Sequence, residues 1–215
     1  MGVRGEPKLR KYIPILLFLI VLTSCAAPQR RGALLTEFPE RPIFEAAISD
    51  IGKANDIDVS KISLYWGDGS TIIITDDDKI IVGYDFLYRY RCREGKPEYI
   101  YCFVAHELAH YKLSHLGKRK AASYVTTALM LGLNMVVPGA GLLNLGLNPM
   151  VTSGFSRSQE LEADSEVVKF LDKQGVEGAR GKYIEALRWI YVGSNPKTGL
   201  MATHPQLEDR IGNLN

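Results

Sequence analysis

The short motif His106-Glu107-Leu108-Ala109-His110 constrains the fold of this chain more than any other stretch of its sequence. Two histidines four residues apart project from the same face of a helix, so both imidazoles can bind one Zn²⁺ ion. Glu107 directly follows the first histidine and can reach a water molecule beside the metal. The motif predicts a catalytic metal-binding helix. The alternative is a helix whose two histidines are ordinary core or surface residues.

A catalytic zinc ion needs a third protein ligand and one open position, and a second predicted helix offers acidic candidates. Glu160 and Asp164 are four residues apart and share a face, whereas Glu162 is rotated by about 200° from Glu160 and should point away. We therefore predict Glu160 as the third metal ligand. Asp164 is predicted to accept the free ring N–H of a ligating histidine, which fixes its tautomer. Without the histidine motif, these acids would indicate only a solvated helix face.

The N-terminus carries a separate signal, which concerns export. Four of the first eleven residues are basic, and an apolar run from Tyr12 to Leu22 follows them. A basic stretch, a short apolar stretch and small residues before a cleavage point are typical of a secretory signal. The run is shorter than the roughly 20 residues of a transmembrane helix, and the alternative is a single-pass anchor that is retained.

The ending Leu22-Thr23-Ser24-Cys25 resembles a bacterial lipoprotein signal. The resemblance implies cleavage before Cys25 and a lipid on that cysteine. Because Ala26 follows rather than Asp, it also implies the outer membrane, with the protein facing the periplasm. Residues 1–24 are therefore predicted to be a lipoprotein signal peptide, residues 25–38 a tether, and residues 39–215 one folded domain.

Composition excludes several classes of protein. The chain has 26 Lys and Arg residues against 24 Asp and Glu residues, and 46% of its residues are hydrophobic. Such values are typical of a globular protein and exclude a collagen-like, coiled-coil or wholly disordered chain. The basic excess lies in the first eleven residues, since the remainder has one more acidic than basic residue. The sequence thus gives no support for nucleic-acid binding.

Two cysteines remain in the predicted domain. Cys92 and Cys102 could form a disulfide in an oxidising compartment if their Cα atoms lie within about 7 Å. The alternative is two buried free thiols, since cysteine is among the most buried residue types.

Hydrophobic periodicity and turn residues predict a mainly helical α+β fold with a small three-stranded antiparallel sheet. Ile72–Thr75 is the predicted edge strand. The segment Ala121–Ser156 has no charged residue and is predicted to form two apolar helical pieces. They would be either a buried hairpin or an apolar flap over a cleft or membrane. The predicted helices span residues 42–54, 97–116, 157–174, 178–192 and 205–214, and the predicted strands span residues 59–66, 71–75 and 80–83.

Three separated motifs, taken in order, resemble a known family: His106-Glu107-x-x-His110, Glu160-x-Glu162-Ala163-Asp164, and Thr203-His204-Pro205 with Arg210. They are similar to the gluzincin metallopeptidases of the HtpX and CAAX prenyl-protease family, and the similarity covers the chain from about residue 40 onward. Because the chain lacks the multiple membrane spans of those branches, it is more similar to the short periplasmic lipoprotein members.

The resemblance implies that zinc, one ion per chain, lies between two active-site helices with Glu160 as third ligand. It also implies that His204 lies near the zinc and that Arg210 helps to hold the acidic helix. His204 could donate to the oxyanion of the substrate, occupy the open zinc position, or cap the last helix. Arg210 could instead be an ordinary surface ion-pair member. His115 lies off the ligand face and is interpreted as a helix-end cation.

These features predict a lipid-anchored zinc metalloendopeptidase that hydrolyses unfolded or misassembled envelope proteins, with Glu107 and His204 as catalytic residues. The predicted partners are unfolded outer-membrane or periplasmic proteins and, through the N-terminal lipid, the membrane. The alternative is a lipid-anchored chaperone or assembly factor for outer-membrane proteins with little proteolytic turnover, which would bind its clients through the apolar segment Ala121–Ser156.

Overall fold

The computed structural model describes residues 34–136, 155–192 and 206–215. Within them the chain is mainly helical and has a small three-stranded sheet, which confirms the predicted α+β fold. The signal peptide, Cys25, most of the tether and His204 lie outside the described residues.

Three helices, Arg41–Ala54, Arg157–Lys173 and Ala179–Tyr191, begin and end within one residue of their predicted bounds. Proline is at or next to the first position of the helices that begin at Arg41 and Pro97, where its missing N–H costs no hydrogen bond. The last helix, predicted from residue 205, is described from Leu207. The helices are α1 (Arg41–Ala54), α2 (Tyr84–Cys92), α3 (Pro97–Lys112), α4 (His115–Val136), α5 (Arg157–Lys173), α6 (Ala179–Tyr191) and α7 (Leu207–Leu214).

The sheet is mixed, so the prediction of an antiparallel sheet was wrong for one of its three strands. It contains β1 (Ser63–Gly67), β2 (Ile72–Ile74) and β3 (Lys79–Gly83) in the order β1-β3-β2. β2 pairs antiparallel with β3, but β1 pairs parallel with it.

The reason for the mixed sheet is the connection between β1 and β2, which crosses the end of β3 instead of forming a tight hairpin. At the crossing, a Cβ atom on Gly83 would collide with the main chain of Gly69. Glycine at position 83 therefore allows the close approach. The outer edge of β1 is partly covered by an antiparallel bridge between Leu35 and Trp66. β2 forms the opposite edge, as the sequence predicts for Ile72–Thr75.

Helix α3 is the central element of the fold. It packs against α1, α5 and α6 and against β2. Its residues from Cys102 to His110 are all buried, so this helix presents apolar side chains on nearly every face. The metal-binding motif therefore lies in the core and not on a solvated helix.

Helix α3 ends earlier than predicted. The sequence predicts one helix over residues 97–116, whereas α3 ends at Lys112 and α4 begins at His115. Ser114 between them has φ 56°, a left-handed conformation that ends a helix. The chain therefore turns directly after the motif, which brings His115 back toward it.

The apolar segment after this turn is described only in part. Helix α4 continues to Val136, and Tyr124, Val125 and Leu129 on it are exposed. Residues 137–154 lie outside the described residues. Among the helices of the described ranges, none combines the length and hydropathy needed to cross a membrane.

The two cysteines of the domain are free thiols in this structure, so the candidate disulfide between them is not formed here. Cys102 is buried on α3, as the free-thiol alternative expects. Cys92, at the end of α2, is exposed and not buried.

Candidate metal centre

The two motif histidines and Glu160 converge on one point in the core. His106 Nε2 lies 3.1 Å from His110 Nε2 and 3.3 Å from Glu160 Oε2. His110 Nε2 lies 3.5 Å from Glu160 Oε1. All three residues are buried, and one donor atom from each lies within 4.8 Å of the other two. The structure therefore brings together the three residues that the sequence predicts as metal ligands.

The first turn of helix α5 carries Glu160, the predicted third metal ligand, and a capping box fixes this turn. Ser156 caps the helix by accepting a hydrogen bond from Gln159 N, and the Gln159 side chain accepts one from Ser156 N. This reciprocal capping box fixes the first turn of α5. Glu160 lies in that turn and is fully buried against α3.

Behind His106 lies a buried polar cluster made by Asp164, Tyr183 and Arg210. Asp164 Oδ1 lies 3.1 Å from His106 Nδ1, as the sequence predicts for the carboxylate that fixes the ring tautomer. Arg210 donates to both Asp164 oxygens, from Nε at 2.8 Å and from Nη2 at 2.5 Å. Its side chain is only 2% exposed, so Arg210 is a buried support of the acidic helix and not a surface ion-pair member.

Tyr183 in this cluster was not predicted. Its hydroxyl donates to Asp164 Oδ1 at 2.5 Å and accepts from Arg210 Nη2 at 2.9 Å. Tyr183 belongs to α6, and its tyrosine ring resembles any other core aromatic at helical spacing. Only the packing of α6 against α5 reveals its polar role.

The charges around His106 have strong effects on ionisation. Burial by itself opposes charge on Asp164, but the Arg210 guanidinium outweighs this and holds the pKa of Asp164 far below its usual range. Burial likewise opposes a charge on His106, yet the carboxylates of Asp164 and Glu160 raise its pKa to about 9 in the metal-free protein. The acidic helix therefore favours a positive charge, either a proton or a metal ion, on the His106 side of the centre.

The environment of His110 contradicts the interpretation of His115 as a helix-end cation. His115 is fully buried, and its Nδ1 lies 3.0 Å from His110 Nδ1. It is the first residue of α4, where the positive end of the helix dipole disfavours a cation. Burial also lowers its pKa. The expectation of one uninterrupted helix through residue 116 is wrong, because the chain turns at Ser114.

Glu162 also has a specific partner, although it was expected to point away from the site. Its Oε2 lies 3.2 Å from His115 Nε2. Glu162 does point away from the metal ligands, but the turn at Ser114 places His115 beside it. On the other side of His110, the Phe155 ring is stacked with its centroid 3.7 Å away.

Glu107 lies at the edge of the sheet, next to the ligand set. Its Oε2 accepts a 2.7 Å hydrogen bond from the backbone N–H of Ile74 in β2. Burial raises the pKa of Glu107 to about 7. A carboxylate that gains and loses a proton near neutral pH is suited to general acid–base chemistry.

The donor set fits a zinc ion. Two imidazole nitrogens and one carboxylate oxygen are the ligands of many catalytic zinc sites, and these three leave a fourth position open. Each imidazole also has a hydrogen-bond partner for its second nitrogen, as zinc ligands usually do. His204, predicted near the metal, lies outside the described residues.

A metal-binding His-Glu-x-x-His helix, a carboxylate ligand from a second helix and a buried acid beside them define a metallopeptidase. The sequence profile of peptidase family M48 matches residues 95–215, which is more than half of the chain. The chain belongs to this family, whose members depend on a metal ion, usually zinc. A comparison with curated proteins gives no match.

Proposed function

We propose that this chain is a lipid-anchored zinc endopeptidase of the HtpX-like lipoprotein branch that hydrolyses unfolded or misassembled envelope proteins. The observation that carries the peptidase activity is the position of Glu107. It is a buried acid with a pKa near neutrality, beside three convergent metal ligands and hydrogen-bonded to the edge strand. The leader of residues 1–24, followed by Cys25 and Ala26, supports the lipid anchor and the outer membrane.

In the proposed reaction, His106, His110 and Glu160 would hold the zinc ion. When bound, zinc supplies a Lewis acid that polarises a carbonyl and acidifies a water molecule. Glu107 takes the proton from the attacking water and later delivers it to the nitrogen of the leaving amine. Its pKa of about 7 allows both steps near neutral pH.

Among the described residues no strand pairs with the outer edge of β2, which supports an extended peptide as the substrate. Thr75 N and Thr71 O pair with β3, so by alternation the main-chain groups of Ile72 and Ile74 face outward. Ile74 N–H donates to Glu107, which places this edge directly beside the proposed base. An extended chain that adds to the edge gains main-chain hydrogen bonds with little dependence on sequence. Unfolded proteins offer such segments.

The test compares Glu107→Gln with Glu98→Gln in the full-length protein. Glu98 is exposed in the first turn of the same helix, about two turns before His106. We expect Glu107→Gln to retain bound zinc, measured by elemental analysis, and to lose at least about a hundredfold in the rate of casein cleavage. Glu98→Gln should cleave casein at the wild-type rate. Full activity of Glu107→Gln would refute the assignment of the base.

The binding alternative has one specific observation in its favour, the exposed apolar residues Tyr124, Val125 and Leu129 on α4. Such a patch is typical of a protein-binding or membrane-binding surface. A wild-type protein that holds zinc and binds unfolded outer-membrane proteins without cutting them would favour the chaperone function over the peptidase function.

Two residues outside the described ranges complete the proposal. Increased casein cleavage by His204→Ala would support a gating role for His204, and a loss of cleavage would support stabilisation of the oxyanion. If Cys25 carries the lipid, Cys25→Ala should move the protein from the membrane fraction to the soluble fraction. Its retention in the membrane would argue against the lipid anchor.

A further inference from the structure

His115 and Glu162 continue the hydrogen bonding of His110 away from the metal centre. His110 Nδ1 lies 3.0 Å from His115 Nδ1, and His115 Nε2 lies 3.2 Å from Glu162 Oε2. His115 is fully buried, whereas the Glu162 side chain is about half exposed. Neither residue belongs to the convergent set of His106, His110 and Glu160. Any effect of His115 and Glu162 on the metal centre must therefore act through His110.

The proton positions in this chain follow from the metal site. If His110 Nε2 binds the metal, its only ring hydrogen is on Nδ1. That hydrogen needs an acceptor, and His115 Nδ1 is at the right distance. His115 then carries its own hydrogen on Nε2, where the Glu162 carboxylate accepts it. A hydrogen on His115 Nδ1 would point at the hydrogen on His110 Nδ1. With His110 Nε2 on the metal, the arrangement therefore requires a hydrogen on Nδ1 of His110 and on Nε2 of His115.

We propose that His115 and Glu162 are positioning residues, which hold His110 in the tautomer and ring orientation that a metal ion requires. The inference rests on the metal site of the proposed function. Helix α5 would then support both ligand histidines. Asp164 supports His106 directly, and Glu162 supports His110 through the intervening imidazole. Partners of this kind typically affect metal affinity by roughly 10- to 100-fold.

Two substitutions separate an acceptor role from simple packing. His115→Leu keeps much of the side-chain volume but cannot accept a hydrogen bond. His115→Asn keeps an oxygen that can accept from His110 Nδ1–H. We expect the zinc dissociation constant to rise roughly 10- to 100-fold in His115→Leu. In His115→Asn it should return most of the way to the wild-type value. Glu166→Gln controls for the loss of a carboxylate on α5 that does not contact His115, because Glu166 pairs with Lys112 and Lys169. It should bind zinc with the wild-type dissociation constant.

The tautomers can be observed directly by nuclear magnetic resonance of ¹⁵N-labelled, zinc-loaded protein. The chain has only four histidines, so their ring signals can be assigned by substitution. We expect a hydrogen on Nδ1 of His110 and on Nε2 of His115. A hydrogen on His115 Nδ1, or a His115→Leu protein that folds and binds zinc within twofold of the wild type, would overturn the proposal.

Both measurements use zinc affinity and ring protonation as readouts and are made in the Glu107→Gln background, so neither depends on peptide cleavage. Their outcome is therefore independent of whether the protein is a peptidase. Failure of the proposed activity would appear only in the casein assay. If His115→Leu does not fold, the tautomer spectrum of the protein with native His115 still decides the proposal.

Discussion

The two histidines of the metal centre lie on one helix and on one face of it, but their surroundings differ. His106 contacts a fully buried cluster of charged and polar groups, contributed by α5, α6 and α7. His110 contacts a second imidazole at the start of α4, which in turn reaches a half-exposed carboxylate. One support consists of permanent charges in the core. The other is a single imidazole, whose pKa is lowered by burial, followed by a half-exposed carboxylate.

This difference assigns the two supports different roles, one in the stability of the fold and one in metal affinity. The buried charges around His106 connect three helices through polar contacts, so this side determines whether the site exists. His115 and Glu162 orient the His110 ring but compensate no buried charge. We therefore expect substitutions on the His106 side to act on folding and substitutions on the His110 side to act mainly on metal affinity.

The largest expected effect follows substitution of Arg210. Arg210→Met leaves the Asp164 carboxylate buried without its cation, and breaking a buried pair typically costs about 3–5 kcal/mol. Because Arg210 is one of the two buried residues of α7, with Leu214, the docking of this helix should also weaken. The free energy of unfolding in urea, measured without metal, checks this.

Two comparisons accompany the Arg210 measurement. Arg188→Met, at an exposed position of α6, should change the stability by less than about 0.5 kcal/mol. The double variant Arg210→Met/Asp164→Asn should lose less stability than the sum of the two single variants, since both charges are then absent. A loss below about 1 kcal/mol for Arg210→Met alone would show that Asp164 does not depend on this cation.

The second prediction concerns pH and uses the charge on His106. The pKa of His106 in the folded, metal-free protein is about 9, above its ordinary value of 6.5. Its protonation therefore stabilises the metal-free fold fully below pH 6.5, and this contribution is lost as the pH rises through 9. Zinc must displace that proton, so the apparent zinc affinity should fall about tenfold for each pH unit from 9 to 7.

The Asp164→Asn variant tests the origin of this pH dependence. The Asp164 carboxylate raises the pKa of His106, so its removal should move the decline in zinc affinity to lower pH. Competition with a chelator of known protonation behaviour measures both proteins between pH 6 and pH 9. An apparent affinity that is constant from pH 9 to pH 7 in the wild type would mean that His106 is not the group that loses the proton.

Sequence periodicity predicted the His106 side of the site better than the His110 side. The three metal ligands and Asp164 follow from i, i+4 spacing on two helices, which depends only on local geometry. Tyr183 could not be inferred, because its hydrogen bonds depend on how α6 packs against α5. His115 and Glu162 were missed because one left-handed residue, Ser114, ends α3 early. Serine rarely adopts that conformation, so the sequence carries little signal for the break.

The sheet shows the same limit. Its three strands and its outer edge at Ile72–Thr75 were recognised from local β-forming residues. The strand order was not predicted, because the crossing of Gly69 over Gly83 depends on the approach of two segments that are separated in the sequence. Local patterns therefore predicted the elements, while the direction of β1 relative to β3 required tertiary contacts.

The smallest expected effect follows substitution of Glu162, and salt gives it a distinctive signature. In Glu162→Gln, the amide oxygen can still accept from His115 Nε2–H, so only the carboxylate charge is lost. Interactions of partly exposed charges contribute up to about 1 kcal/mol and are screened by salt. We expect zinc binding to weaken less than about fivefold at low ionic strength and to approach the wild-type value at about 0.5 M NaCl. The change in zinc affinity caused by Asp164→Asn should persist at that salt concentration, because Asp164 is fully buried. If salt leaves the Glu162→Gln deficit unchanged or removes the effect of Asp164→Asn, the distinction between a buried charged support and one that ends at a half-exposed carboxylate fails.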